Sequence, residues 1–126
     1  MRSIKKQQEW CASQVDNPTQ SWDNLCQSFA RQSLGMGAYG SSAKVAWGNV
    51  KEKYKVPITK PSDKSWWADI PMGSLIYSTH GSSGHAWVAM GNSKAYSNDY
   101  KRKGRIDVVP VGSVRAPCGK CHSRHG

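Results

Sequence analysis

Two residues in this chain carry the means for nucleophilic chemistry at an amide: Cys26 in "SWDNLCQSFARQSLG" and His85 in "SGHAWVAMGNSKAYSND". A cysteine attacks as its thiolate, so it needs a lowered pKa, a neighbouring imidazole, or both. Cys26 falls at about the third position of a predicted helix, where unsatisfied N–H groups and roughly half a positive charge favour an anion. The same position also suits an inert core cysteine, since free cysteines are among the most buried residue types. His85 opens a short apolar run on a rigid element, where catalytic geometry is most easily held. His80, His122 and His125 fall in loop or tail contexts.

An imidazole base needs a third group to fix its tautomer and orientation. "SND" at 97–99 offers three polar candidates on the following strand. Residues on one face of a strand alternate, so the hairpin register decides among them. A two-residue turn at Asn92-Ser93 pairs Gly91 with Lys94 and puts Asn98 on the His85 face. A three-residue turn pairs Met90 with Lys94 and puts Asp99 and Ser97 there. Asn-Ser is not one of the strongest two-residue hairpin signals, so Asp99 is favoured and Asn98 is the alternative.

The elements that must position these groups are legible in outline. Residues 2–15 read as a first helix, with Ile4, Cys11 and Val15 at helical spacings. The second spans 21–35, with Ser21 or Asp23 as its cap, Gly35 as its stop, and Leu25, Phe29 and Ala30 on one face. A third is expected over 41–55, striped by Ala43, Ala46, Val50 and Tyr54 and weakened by Gly48. After residue 56 the character changes to a Pro-rich connection and four β-like runs at 74–79, 85–90, 94–99 and 105–110. Helices followed by an antiparallel meander make an α+β pattern.

A chain of 126 residues with six Trp and five Tyr can build one compact core. Its 18 Lys and Arg against 8 Asp and Glu leave a net charge of +10, which favours anionic partners such as nucleic acid, acidic membranes or wall polymers. One local basic cluster, Lys101, Arg102, Lys103 and Arg105, is equally well read as a solvated turn. No stretch approaches the roughly 18 apolar residues that cross a bilayer. "MRSIKKQQEW" has a basic start but no apolar core, so it does not read as a secretory signal. With that, the four cysteines, Cys11, Cys26, Cys118 and Cys121, read as free or catalytic thiols ahead of disulfides.

In this order, "SWDNLCQSFARQSLG", a small helix, "DIPMGSLIYST", "GHAWVAMGNSKAYSND" and "YKRKGRIDVVP" resemble a CHAP domain, the cysteine, histidine-dependent amidohydrolase/peptidase family. The likeness runs from about Trp10 to Val109 and is closest to the domains of actinobacterial phages and their hosts. It implies a papain-like fold, with Cys26 as nucleophile, His85 as base, and an Asn, Asp or Glu as third group, which does not choose within 97–99. It implies an endolysin-like peptidoglycan hydrolase that cleaves an amide of the stem peptide or cross-bridge, or the link from muramic acid to L-alanine. No cofactor is expected. The expected partners are peptidoglycan and anionic wall polymers, with no membrane span, nucleic acid disfavoured, and a monomer as the working form. Such an enzyme is made in the host cytoplasm without a signal peptide and reaches the wall through a holin or on a phage particle.

The resemblance places a single catalytic domain at 1–113 and leaves the tail 114–126, "VRAPCGKCHSRHG", atypical. Cys118 and Cys121 with His122 or His125 supply three zinc-ligand types but no clear fourth, and structural zinc is nearly always four-coordinate. A disulfide or a disordered tail is the plainer alternative. Two other functions stay open. The same Cys–His pair suits a papain-like enzyme on another amide or thioester, such as a deamidase or acyltransferase. A catalytically inactive basic module that binds wall polymer or nucleic acid is the third reading.

Overall fold

A computed structural model describes residues 1–37, 40–57, 69–79, 82–111 and 119–121. Three helices, α1 (Ile4–Asp16), α2 (Cys26–Leu34) and α3 (Ala43–Asn49), precede a six-stranded sheet. Its strands are β1 (Lys55–Pro57), β2 (Leu75–Ser78), β3 (His85–Gly91), β4 (Lys94–Asn98), β5 (Ile106–Pro110) and β6 (Gly119–Cys121). They lie in the order β1-β6-β2-β3-β4-β5, every pairing antiparallel. The fold is α+β, and β2 to β5 form the expected meander. β6, from within the segment read as a tail, inserts between β1 and β2.

The strand pattern follows from burial on both faces. Leu75, Tyr77, Ala86, Val88, Tyr96 and Ile106 face the helices and join Trp22, Phe29 and Leu34 in one apolar cluster. Ile76, Trp87, Ala89, Ala95 and Val109 face the other way and are covered by Ile70 and Val111. Strands buried on both sides read as near-continuous apolar runs, which is why "SLIYST" and "HAWVAM" show little alternation. α2 packs on β3, α1 on β5, and α3 on β2.

The helix boundaries depart from the sequence expectation in instructive ways. α1 starts after Ser3, whose hydroxyl accepts from the Lys6 N–H at 3.2 Å. Ile4, expected on the inner stripe, is instead 40% exposed. α3 is shorter than 41–55 because Val50 is extended, and the chain then makes one 3₁₀ turn at Glu52–Tyr54. α2 starts at Cys26, not at Ser21 or Asp23, because Asn24 adopts a left-handed φ of 58° that no helix continues. Leu25 becomes the cap residue, 38% exposed, and leaves the inner face to Phe29 and Ala30. Gly35 ends α2 as expected, at φ 72°.

The segment ahead of α2 is fixed by a buried amide. Gln14 is 2% exposed, and its Oε1 accepts from the Thr19 N–H at 3.0 Å, the Thr19 hydroxyl at 3.2 Å and the Trp22 indole at 3.1 Å. Trp22 in turn meets Phe29 edge-on with ring centroids 5.5 Å apart, and Trp10 stacks on Phe29 at 5.5 Å. Gln14→Leu keeps the volume but strands the buried indole donor. It is expected to cost roughly 1–3 kcal/mol in urea unfolding; a loss below about 0.5 kcal/mol would show that this network holds nothing in place.

Candidate active site

Cys26 and His85 open on one cavity of about 410 Å³, with Ser83, Ser97 and Asp99 also in its wall. They arrive from opposite faces of the sheet. Cys26 comes down at the start of α2 on the helix side, beside Ala86. His85 alternates with Trp87 and Ala89, which face away from the helices, and its ring meets Trp87 edge-on at 4.6 Å. The two meet because His85 is the first residue of β3, at the end of the sheet.

Gly84 makes that entry possible. Its φ is 70°, and a Cβ there would strike the Ser78 carbonyl and the Lys44 N–H. The close approach is used, since the Lys44 N–H donates to the neighbouring Ser83 carbonyl at 2.9 Å and ties the start of α3 to this loop. The glycine of the Gly-His pair is therefore dictated by backbone crowding.

The hairpin register resolves the choice posed by the sequence. The turn holds two residues, Asn92 and Ser93, both at positive φ (54° and 63°), and Gly91 faces Lys94. Taken alone, that register puts Asn98 beside His85. The ladder slips between Ala89 and Gly91, however, so Ala89 faces Ala95 and Val88 faces Tyr96. The extra residue, Met90, is a β-bulge that inverts the parity and puts Ser97 on the His85 face, while Asp99 lies one residue beyond β4.

The partner of the imidazole is Ser97. His85 Nε2 lies 2.9 Å from the Ser97 Oγ, and Ser97 is 1% exposed. The Ser97 hydroxyl donates its one hydrogen to the Asn98 carbonyl at 3.1 Å. In the tautomer with the ring proton on Nε2, Oγ accepts from the ring and Nδ1 is the basic nitrogen. Neither Asn98 nor Asp99 hydrogen-bonds the ring.

Those two side chains hold the other half of the site. Asn98 Nδ2 donates to the Trp22 carbonyl at 2.7 Å and to the Asp99 carboxylate at 3.1 Å. The carboxylate also accepts from the Asn24 N–H at 2.7 Å and the Gly104 N–H at 2.5 Å. Together they fasten the segment leading into Cys26 onto the end of β4. Asp99 still acts on the ring through its charge.

Electrostatics set the resting protonation states. Burial pushes the Cys26 thiol up; N–H groups of Ala86, Gln27 and Cys26 itself pull it back, and the Asp99 charge adds a smaller rise. Burial pulls His85 down to about 4, against the opposing pull of Asp99. Near neutral pH the pair is thiol and neutral imidazole, with no hydrogen bond between them in this conformation. Such bonds commonly tighten only when substrate binds. The other described thiol, Cys11, is fully buried and pushed far up by its burial, so it packs rather than reacts.

Among the described residues no group of three or more metal-ligating side chains converges. Cys118, His122 and His125 lie outside the described residues, as does His80, and of Cys121 only its backbone in β6 is described. In the basic cluster, Arg102 grips Asp107 at 2.6 Å and Lys103 lies 3.7 Å from Asp23, so part of that charge is paired. No helix among the described residues is long and apolar enough to cross a membrane. Compared with known proteins, the chain matches no family model, no curated protein and no solved structure.

The buried imidazole links stability to pH. Its folded pKa lies below the unfolded value of about 6.5, so above that pH both states are neutral and its contribution is complete. As pH falls from about 6.5 to about 4, the unfolded chain takes up the proton first, and stability falls by about 3 kcal/mol at most. Urea unfolding at pH 7 and pH 4.5 should show a smaller loss in His85→Gln than in the wild type. Equal losses would mean that the ring is not held neutral by burial.

Proposed function

We propose that this protein is a papain-like peptidoglycan hydrolase of the CHAP type, cleaving an amide of the bacterial cell wall by cysteine–histidine catalysis. One observation carries the reading: a thiol on the first residue of a helix and an imidazole hydrogen-bonded to Ser97 line the same open cavity. The bland alternative for Cys26, a sealed core thiol, is what Cys11 looks like.

The chemistry follows from the protonation states. His85 Nδ1 takes the thiol proton as the sulfur attacks the amide carbonyl, so no thiolate need be stored at rest. The oxyanion that forms lies at the start of α2, where N–H groups of Cys26 and Gln27 already face the sulfur. His85, now an imidazolium near the Asp99 carboxylate, gives its proton to the leaving amine. Water, deprotonated by Nδ1, then attacks the thioester, and the product acid leaves as the thiol regains its proton. Ser97 keeps the ring in the productive tautomer and is a positioning residue.

The charge of +10 suits an anionic wall as the surface on which the enzyme works. Isolated walls treated with the wild type are expected to lose turbidity and to release one new amine per new carboxyl group, identified by mass spectrometry. Cys26→Ala should abolish this, and clearing by that variant would overturn the mechanism. Alkylation of Cys26 without any wall product would move the same machinery to another amide.

Ser97→Ala tests the positioning role. Removing one neutral hydrogen bond is worth about 1 kcal/mol, roughly a fivefold fall in kcat with KM little changed. Ser97→Thr, which keeps the hydroxyl, should restore most of it. An equal loss in both variants would show that packing and not the hydrogen bond is what matters.

A further inference from the structure

A second cavity, of about 230 Å³, lies between α2 and the start of α3. It shares Asn24, Cys26 and Ser83 with the first, so one cleft runs across the thiol. Its far wall holds Gln27, Arg31, Ser41 and Ser42. His85 is in the first cavity only.

Two of these side chains are poised for a ligand. Gln27 is 5% exposed, and among the described residues neither its amide nitrogen nor its amide oxygen has a hydrogen-bond partner. A buried amide without partners costs about 1–3 kcal/mol, and a ligand that supplies them removes that cost. Arg31, on the same face one turn along, is half-buried, and one guanidinium nitrogen is anchored on the Met36 carbonyl at 3.3 Å. No carboxylate among the described residues pairs with it, although Arg102 and Lys103 nearby in sequence to Asp107 do find theirs. An anchored, half-buried guanidinium with open donors is a carboxylate receptor.

The polarity of the reaction says which half of the substrate goes there. The leaving amine must take its proton from His85, so it occupies the cavity that His85 lines. The half that stays on sulfur as the thioester must then extend the other way, along α2 toward Arg31. We infer that the cleft between α2 and α3 is an acyl-side subsite that selects amides whose acyl half carries a free carboxylate. Arg31 pairs with that carboxylate, and Gln27 bonds a neighbouring peptide group. This rests on the thiol-hydrolase reading of Cys26 and His85, and names its substrate class.

The test uses Cys26→Ala protein, so binding is read without turnover. The probes are N-acetyl-γ-glutamyl-alanine amide, which carries a free carboxylate on its acyl half, and the same peptide with that carboxylate made a carboxamide. Chemical-shift titration should show the carboxylate form binding about tenfold tighter or more, with shifts at Arg31 and Ser42. Adding Arg31→Gln should bring the two affinities together and leave that of the carboxamide unchanged, while Arg31→Lys should keep part of the preference. Equal affinities without Arg31→Gln, an equal weakening of both peptides by it, or shifts confined to the His85 cavity would each overturn the subsite. Wall hydrolysis by the wild type is read separately. Walls left intact with the preference present would defeat the wall-hydrolase reading and not the subsite, and walls cleared without the preference would do the reverse.

Discussion

The end of β4 is where the two halves of the site are joined. The Asn98 and Asp99 side chains make three hydrogen bonds to the chain around them, at Trp22, Asn24 and Gly104, and a fourth to each other. Hydrogen bonds to an ionised carboxylate are among the stronger ones, at about 1.5–3 kcal/mol each. They do what no helix cap does for α2, whose cap residue Leu25 has no side-chain acceptor to offer. The left-handed φ of Asn24 at 58° and of Asp99 at 57° is strain that this clamp sustains. Because the clamp sits one residue past β4 and two before Cys26, it sets where the thiol stands relative to the strand pair that carries His85 and Ser97.

The same carboxylate explains why the site divides its labour. Hydrogen-bonded by three N–H groups, Asp99 remains an acceptor-only charge whose lone pairs are taken up by the clamp. It opposes the burial of His85 without touching the ring, and it works against a thiolate at Cys26. For both groups burial is the larger effect. A resting ion pair is thereby disfavoured, while under the proposed mechanism an imidazolium formed during reaction finds a negative charge waiting nearby. Orientation falls to Ser97, which is neutral and can fix the tautomer without raising the basicity of the ring.

Sequence alone made Cys26, His85 and the four central strands visible, because each depends on local pattern. A cysteine before an apolar helix, a glycine-histidine pair before an apolar run, and turn residues between such runs are all short-range signals. What stayed hidden depended on parity and on distance along the chain. Parity arguments reach the right face only if the turn length and every bulge are known. Here the two-residue turn pointed to Asn98, and the bulge at Met90 reversed it. Gly91 at φ 88° was the one mark of that bulge in the sequence. β1 and β6, of three residues each, are too short for any periodicity, and they pair across more than sixty positions. The start of α2 was misplaced because Ser21 and Asp23 look like caps, whereas Asn24 is held out of the helix by a carboxylate 75 residues away.

Charge and cleft act at different ranges, and only one of them can select. A net charge of +10 draws the protein to any polyanion, and that attraction fades over a Debye length of about 8 Å at physiological salt. Surface pairs such as Lys103 with Asp23 add little to stability and barely alter the sum. Specificity must therefore come from groups that are desolvated before the substrate arrives. Under the proposed reading those are Gln27, whose buried amide has no partner among the described residues, and the half-buried Arg31 beside it on the acyl side. A substrate that offers Gln27 no partner leaves a buried amide unpaired, which rejects the wrong ligand more strongly than an apolar pocket of the same size would.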